Sequence, residues 1–271
     1  MERPAASSTG KLISSYRYGQ GFIYFLMVSG VSTLLLAVFL FSVRNKAPAD
    51  AQSAILGAVA LLVAIACGFF AVVPWQRRLR AARHEVYEHG LVQVVGSQRS
   101  YVAFAGMEDL YLFSSGQTAL TGLMSNLAYR RNNADAFRWA NDSLKRFYEF
   151  QQLVRELHVR DRLPVVIAAL QAGEAVTFNY VPTGEVWKKR VSGRFLDVRT
   201  RPLTISRECL QVEGRSVPTA ALRDVDVGAW TQNVTLKDAG GATVFSTMAV
   251  GILSFDLFLE TVGWLVQDAQ R

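Results

Sequence analysis

Three histidines, two cysteines and a few clusters of acids and cations are the residues that could carry chemistry in this chain. His84 and His89 stand five apart around a predicted strand, which puts them on opposite faces, and no cysteine or further carboxylate sits at a metal-ligand interval. His89 precedes Gly90 and reads as a turn residue. Cys67 falls inside an apolar segment and Cys209 in a predicted strand. They cannot meet, and both are expected to be small buried hydrophobes. The acid pairs Glu108-Asp109 and Asp224-Val225-Asp226 would need a cleft and a tuned pKa to act as acid and base. Neighbours on a strand point to opposite faces, so one of Glu108 and Asp109 is expected in solvent. No G-x-x-x-x-G-K-[ST], G-x-G-x-x-G or G-x-S-x-G pattern occurs. No enzyme, cofactor or metal is therefore expected. What remains is basic: Lys188, Lys189, Arg190 and Arg194 on a predicted hairpin, and Arg130-Arg131 in a predicted 116–133 loop. Clustered cations of this kind match phosphate charge. The alternative reading is an ordinary solvated charged face for the first and a mobile surface loop for the second.

The elements that must position these residues divide sharply. Hydrophobic residues make up 51% of the 271 and charged ones only 19%, below the quarter usual in soluble domains. The apolar excess lies in two stretches without a formal charge, 21–43 and, after the loop, 51–76. Each exceeds the roughly 20 residues needed to cross a bilayer. The short connection predicts an antiparallel pair, 21–76, with small residues Ser29, Thr33, Ala37 and Ala60, Ala64, Gly68 between the helices. No ionisable group lies at depth, which argues against a transporter or proton relay. The first stretch is too long for a signal-peptide core and is followed by a second.

Charge gives the orientation. Arg3, Lys11 and Arg17 precede the first stretch, Arg44 and Lys46 lie between, and Arg77, Arg78, Arg80 and Arg83 follow the second. The loop is the cation-poor side, so both termini are expected in the cytoplasm. Arg77, Arg78, Arg80, Arg83 and Trp75, with Tyr16, Tyr18 and Tyr24, are expected at the interface. Residues 1–83 hold nine Lys/Arg against two acids, whereas 84–271 hold 20 of each. The net charge of +7 thus belongs to the membrane-proximal part and gives no support to nucleic-acid binding.

Beyond residue 84 the pattern is α+β. HEVYEHGLVQVV, SYVAFAG and MEDLYLF read as strands, followed by an amphipathic helix near 142–158 and a short helix starting at Pro164. A second run of strands includes EAVTFNYVP, RVSGRFLDV and a hairpin around Asp238-Ala-Gly-Gly, and ends in a helix near 254–267. The two runs align as a duplication through Leu91 with Leu210, Asp109 with Asp224, and Leu153-Val154 with Leu265-Val266. The expected organisation is a cytoplasmic tail (1–20), the hairpin (21–76) and two β-domains (84–160 and 174–270), each closed by a C-terminal helix.

VYEHGLV (86–92) followed by MEDLYLF (107–113), together with ALQAGEAVTFNYV (169–181), resembles an uncharacterised family of bacterial two-helix membrane proteins with tandem pleckstrin-homology-like domains. The tryptophan usual in that family is replaced near Phe104-Ala105, and its Phe-Gly step reads Phe178-Asn179 here. The resemblance implies a transmembrane hairpin and two tandem pleckstrin-homology-like domains at a bacterial inner (plasma) membrane. It also implies that the 188–194 cations lie where such domains contact lipid headgroups. The functional expectation is a membrane-anchored, non-enzymatic interaction or scaffold protein. The alternative is an immunity-type protein that engages a toxin or a membrane partner.

Overall fold

A computed structural model describes residues 9–115, 124–185, 196–227, 233–238 and 240–268. The chain separates into two compact units. One comprises 17–83 and 95–98, and the other the remaining β-rich part.

The first unit is built on two helices, α1 (Gly21–Val43) and α2 (Ala49–Leu79), joined by a single turn at Arg44–Lys46. At 1.5 Å per residue they run about 34 and 46 Å, against roughly 30 Å of hydrocarbon. Both are long and apolar enough to cross a membrane. The residues turned toward the neighbouring helix recur at alternating three- and four-residue steps: Ile23, Leu26, Gly30, Thr33, Ala37 and Leu40 on α1, and Ile55, Val59, Leu62, Ala66, Phe69 and Val73 on α2. That spacing is the seam of an antiparallel coiled coil. A side-chain carbon at Gly30 would lie 3.0 Å from the Phe70 ring, so glycine there lets the helices close. Ala37 and Thr33 lie on the seam as expected. Ala60, Ala64 and Gly68 do not: they face outward, because the seam of α2 is set by its larger residues.

The β-rich unit repeats one plan. Strands β1 (Leu12–Arg17), β2 (Ala82–Tyr87), β3 (Gly90–Val95) and β4 (Gln98–Ala103) form a sheet in that order. A turn at Phe104–Gly106 leads to β5 (Asp109–Ser115), β6 (Met124–Arg130) and β7 (Arg138–Asn141), a second antiparallel sheet, and then to helix α3 (Phe147–Gln171). The plan then recurs. β8 (Val176–Tyr180), β9 (Arg201–Ile205), β10 (Cys209–Val212) and β11 (Arg215–Pro218) form a four-stranded sheet, followed by a turn at Thr219–Ala221. β12 (Leu222–Val227), β13 (Asn233–Asp238) and β14 (Thr243–Met248) form a three-stranded one, followed by helix α4 (Phe255–Asp268).

The duplication extends to single residues. Leu91 and Leu210 each occupy the second position of a third strand, and both are fully buried. Each helix follows a residue in the left-handed region, Arg146 (φ 58°) and Ser254 (φ 54°). From there the same spacing of Phe, Phe, Val and Leu runs into the core: Phe147, Phe150, Val154 and Leu157 in α3, and Phe255, Phe258, Val262 and Leu265 in α4. Val154 therefore corresponds to Val262, one helical turn from the Val266 expected from sequence.

Two further findings depart from the sequence reading. Residues read as a tail form β1, which pairs with β2, and the backbone just before it is bonded to the β2–β3 turn (Glu88 N–H to Lys11 O, 3.0 Å; His89 N–H to Thr9 O, 3.2 Å). The apolar hairpin is thus an insertion between the first two strands of a sheet. In addition, the two predicted helices are one, since α3 runs through Pro164 without a break. Its N-terminal half packs Phe150 against Tyr16 (ring centres 5.1 Å apart) and His84, while Val166 and Leu170 belong to the second core with Phe178, Leu203 and Phe258. Burial at both ends of α3 outweighs the one hydrogen bond that the exposed proline removes.

Candidate functional site

The predicted site residues that the structure describes fall into two places. Trp75, Arg77, Arg78 and Arg80 lie on or just beyond the last turns of α2, with Arg83 in β2. Trp75 and Tyr24 are exposed, at 59% and 61%, and Arg77 and Arg78 are exposed as well. Arg80 ties the two helix ends together: Nη1 donates to Gly19 O at 2.6 Å, and its guanidinium stands 5.4 Å from the Phe22 ring centre. Arg17, Arg77, Arg78 and Arg80 have no carboxylate partner among the described residues. Tyr16 and Tyr18 are buried. Tyr16 is a core residue beneath α3, its hydroxyl donating to Glu149 at 3.1 Å, and not an interface anchor.

Arg130 and Arg131 have different surroundings. Register pairs Arg130 on β6 with Asp109 on β5. Arg130 Nε donates to Asp109 Oδ2 at 2.6 Å, with Asp109 fully buried. The other carboxylate oxygen accepts from Asn179 Nδ2 at 2.9 Å, and Asn133 bridges Arg130 and Asn179. The Phe137 ring covers the guanidinium at 4.2 Å. Arg130 is therefore committed to a buried network joining the two β-repeats, whereas Arg131 is exposed and only 4.0 Å from Asp135. Glu108, the other member of the acid pair, is in solvent. Lys188, Lys189, Arg190 and Arg194 lie outside the described residues.

Sequence reasoning missed the second half of this junction. Ser254 Oγ donates to Glu108 O (2.8 Å) and accepts from Leu110 N–H (3.0 Å), and its own N–H donates to Leu110 O (2.6 Å). Having spent its proton, the hydroxyl must receive the 3.2 Å contact from His158 Nε2–H, so the buried imidazole is the Nε2–H tautomer. Burial lowers the His158 pKa to about 4, with Arg162 pushing the same way and the Phe104 carbonyl, Asp256 and Asp161 opposing. Burial alone lowers His84 to about 4. The unfolded chain binds these protons near pH 6.5 and the folded one near 4. Both contributions are therefore intact above pH 6.5 and are lost as pH falls toward 4. At pH 5 each histidine is expected to cost about 2 kcal/mol of stability. Urea midpoints of the intact chain in detergent should fall steeply between pH 6.5 and 4, and a flat profile would contradict the burial of both.

His89, in contrast, is exposed and meets Asp161 at 3.0 Å. Cys67 is exposed because it lies off the helix seam. Cys209 is half-exposed, its thiol pKa lowered by hydrogen bonds from Ser216 and Ser206. Among the described residues, no three His, Cys, Asp or Glu side chains form a group that could hold a metal ion.

A groove of about 730 Å³, which no sequence-predicted site residue lines, lies between α3 and α4. Arg155 and Asp256, joined by two hydrogen bonds of 2.6 Å, line it together with Gln152, Glu260 and Tyr148, which is 69% exposed. Its lining mixes both charge signs with an exposed aromatic.

No curated protein and no solved structure matches the chain significantly. A family model does, from residue 1 to 185, spanning β1, the hairpin, the first β-repeat, α3 and β8. With well over half of the chain matched, the protein belongs to the family of unknown function described as DUF6585.

Proposed function

We propose that this protein is a membrane-anchored, non-enzymatic interaction protein. Its hairpin crosses a bacterial inner membrane twice, with both termini in the cytoplasm, and its two β-repeats are pleckstrin-homology-like domains held at that face. The observation that carries the reading is the pairing of β1 with β2. A strand before the hairpin can pair with one after it only if both hairpin ends lie on the same side of the membrane. Two helices of membrane length between them satisfy that condition. The flanking cations favour the cytoplasm as that side. The repeated plan of four strands, three strands and a helix supports the pleckstrin-homology-like assignment. The α3–α4 groove supports contact with a protein neighbour.

The test is sided labelling. In intact cells an impermeant maleimide should reach a cysteine placed at Lys46 but not one at Arg215, and inside-out vesicles should reverse the result. Labelling of both from one side, or release of the chain by alkaline extraction, would overturn the anchoring.

A further inference from the structure

We infer that the β3–β4 turn, Val95–Gln98, is a second membrane contact that rests on an anionic bilayer surface beside the hairpin. This rests on the reading of the hairpin as a double crossing. Only Arg80-Ala81 separates α2 from β2, and only Tyr18-Gly19-Gln20 separates β1 from α1. Three peptide steps from Leu79 to Ala82 reach at most about 11 Å, so β2 must start close to the end of α2. β2 and β3 are joined by Glu88-His89 alone. The end of β3 therefore returns to the start of β2, with about 5 Å between strands. In keeping with this, Val95–Gln98 falls in the same compact unit as the hairpin. The two helix ends are level, held by the Arg80 bond to Gly19 and by the closure of Gly30 on Phe70. The turn thus lies at the depth where the apolar helices give way to cations.

Its chemistry suits that depth. Gly96, at φ 60°, makes the two-residue turn with Ser97, and Val95 leaves 43% of its surface uncovered. Segments 17–28, 73–83 and 95–98 contain no acid, while Arg17, Arg77 and Arg78 are exposed. An exposed valine flanking a Gly-Ser turn, in the same compact unit as exposed Arg17, Arg77 and Arg78, has the composition of an element that sits in the headgroup layer of anionic lipid.

The test places a nitroxide label at one cysteine in the full-length chain carrying Cys67→Ser and Cys209→Ser. The sites are Val95→Cys, Arg215→Cys and Phe39→Cys, each reconstituted in phosphatidylcholine vesicles with or without phosphatidylglycerol. The label at 95 should collide several-fold more often than that at 215 with a nickel chelate borne on lipid headgroups, and more so with phosphatidylglycerol present. Equal collision at 95 and 215, with the label at 39 oxygen-accessible as in hydrocarbon, would overturn this inference alone. No response to phosphatidylglycerol would remove the anionic surface and overturn it too. A label at 39 outside hydrocarbon would overturn the anchoring itself.

Discussion

A chain in which residues 18–81 are replaced by an Asn-Gly turn is expected to fold as a soluble protein, whereas a chain beginning at residue 84 is expected to leave its first β-repeat unfolded. The difference is β1. Tyr16 is among the largest fully buried side chains, edge-on to Phe150 and bonded to Glu149. Losing an aromatic of that kind costs about 3–5 kcal/mol. Removal of β1 also strips the backbone partners from β2 and exposes His84 and Phe150 on an open edge. The total is comparable to the whole stability of a small domain, about 5–15 kcal/mol. In the excised chain, β1 and β2 are adjacent antiparallel strands, and a two-residue turn with positive φ is the connection such strands favour. Urea unfolding followed by tryptophan fluorescence separates the cases. A cooperative transition of equal midpoint in the chain starting at 84 would show that β1 contributes nothing.

Arg130→Ala is expected to destabilise the intact protein by about 3–5 kcal/mol, because it leaves the Asp109 carboxylate buried without its cation. Asn179 would still donate to one oxygen, and Asn133 would lose its acceptor role. The Asp109→Asn/Arg130→Met double variant removes both charges and should recover most of the loss, since buried ion pairs are replaced by neutral groups at little net cost. Denaturant midpoints of the two variants provide the check. A neutral Arg130→Ala would mean that the guanidinium does not balance Asp109. Because Asp109 lies in the first repeat and Asn179 in the second, the single variant should also loosen their junction, seen as faster amide exchange at Leu110 and Leu253.

Much of the architecture could be read from residue patterns. The two apolar helices follow from length and absence of charge, and the β13–β14 hairpin from alternation around Asp238-Ala-Gly-Gly. The amphipathic start of α3 follows from its three- and four-residue spacing. What escaped the sequence depends on distant partners. LISSYR beside a long apolar stretch has the look of a tail, and only its partner some 65 residues later makes it a strand. Pro164 reads as a helix start until one knows that the residues on both sides are buried in different cores. The outward face of Ala60, Ala64 and Gly68 is set by the neighbouring helix, not by their size. Arg130 reads as a surface cation because nothing local reveals that β5–β6 register sets it against Asp109. The 188–194 cations lie outside the described residues.

The close fit of Gly30 against Phe70 has a consequence for how the chain is made. The leading strand emerges first and must wait for its partner until the whole apolar segment has been synthesised. Closing a flexible loop of that length would cost about 2.5 kcal/mol more than closing one of four residues. Once the two helices have zipped together, residues 17 and 82 are already neighbours and that entropy has been spent. The hairpin is then a clasp that nucleates the sheet, and a substitution that loosens it should slow acquisition of protease resistance during synthesis even where the finished protein is unchanged.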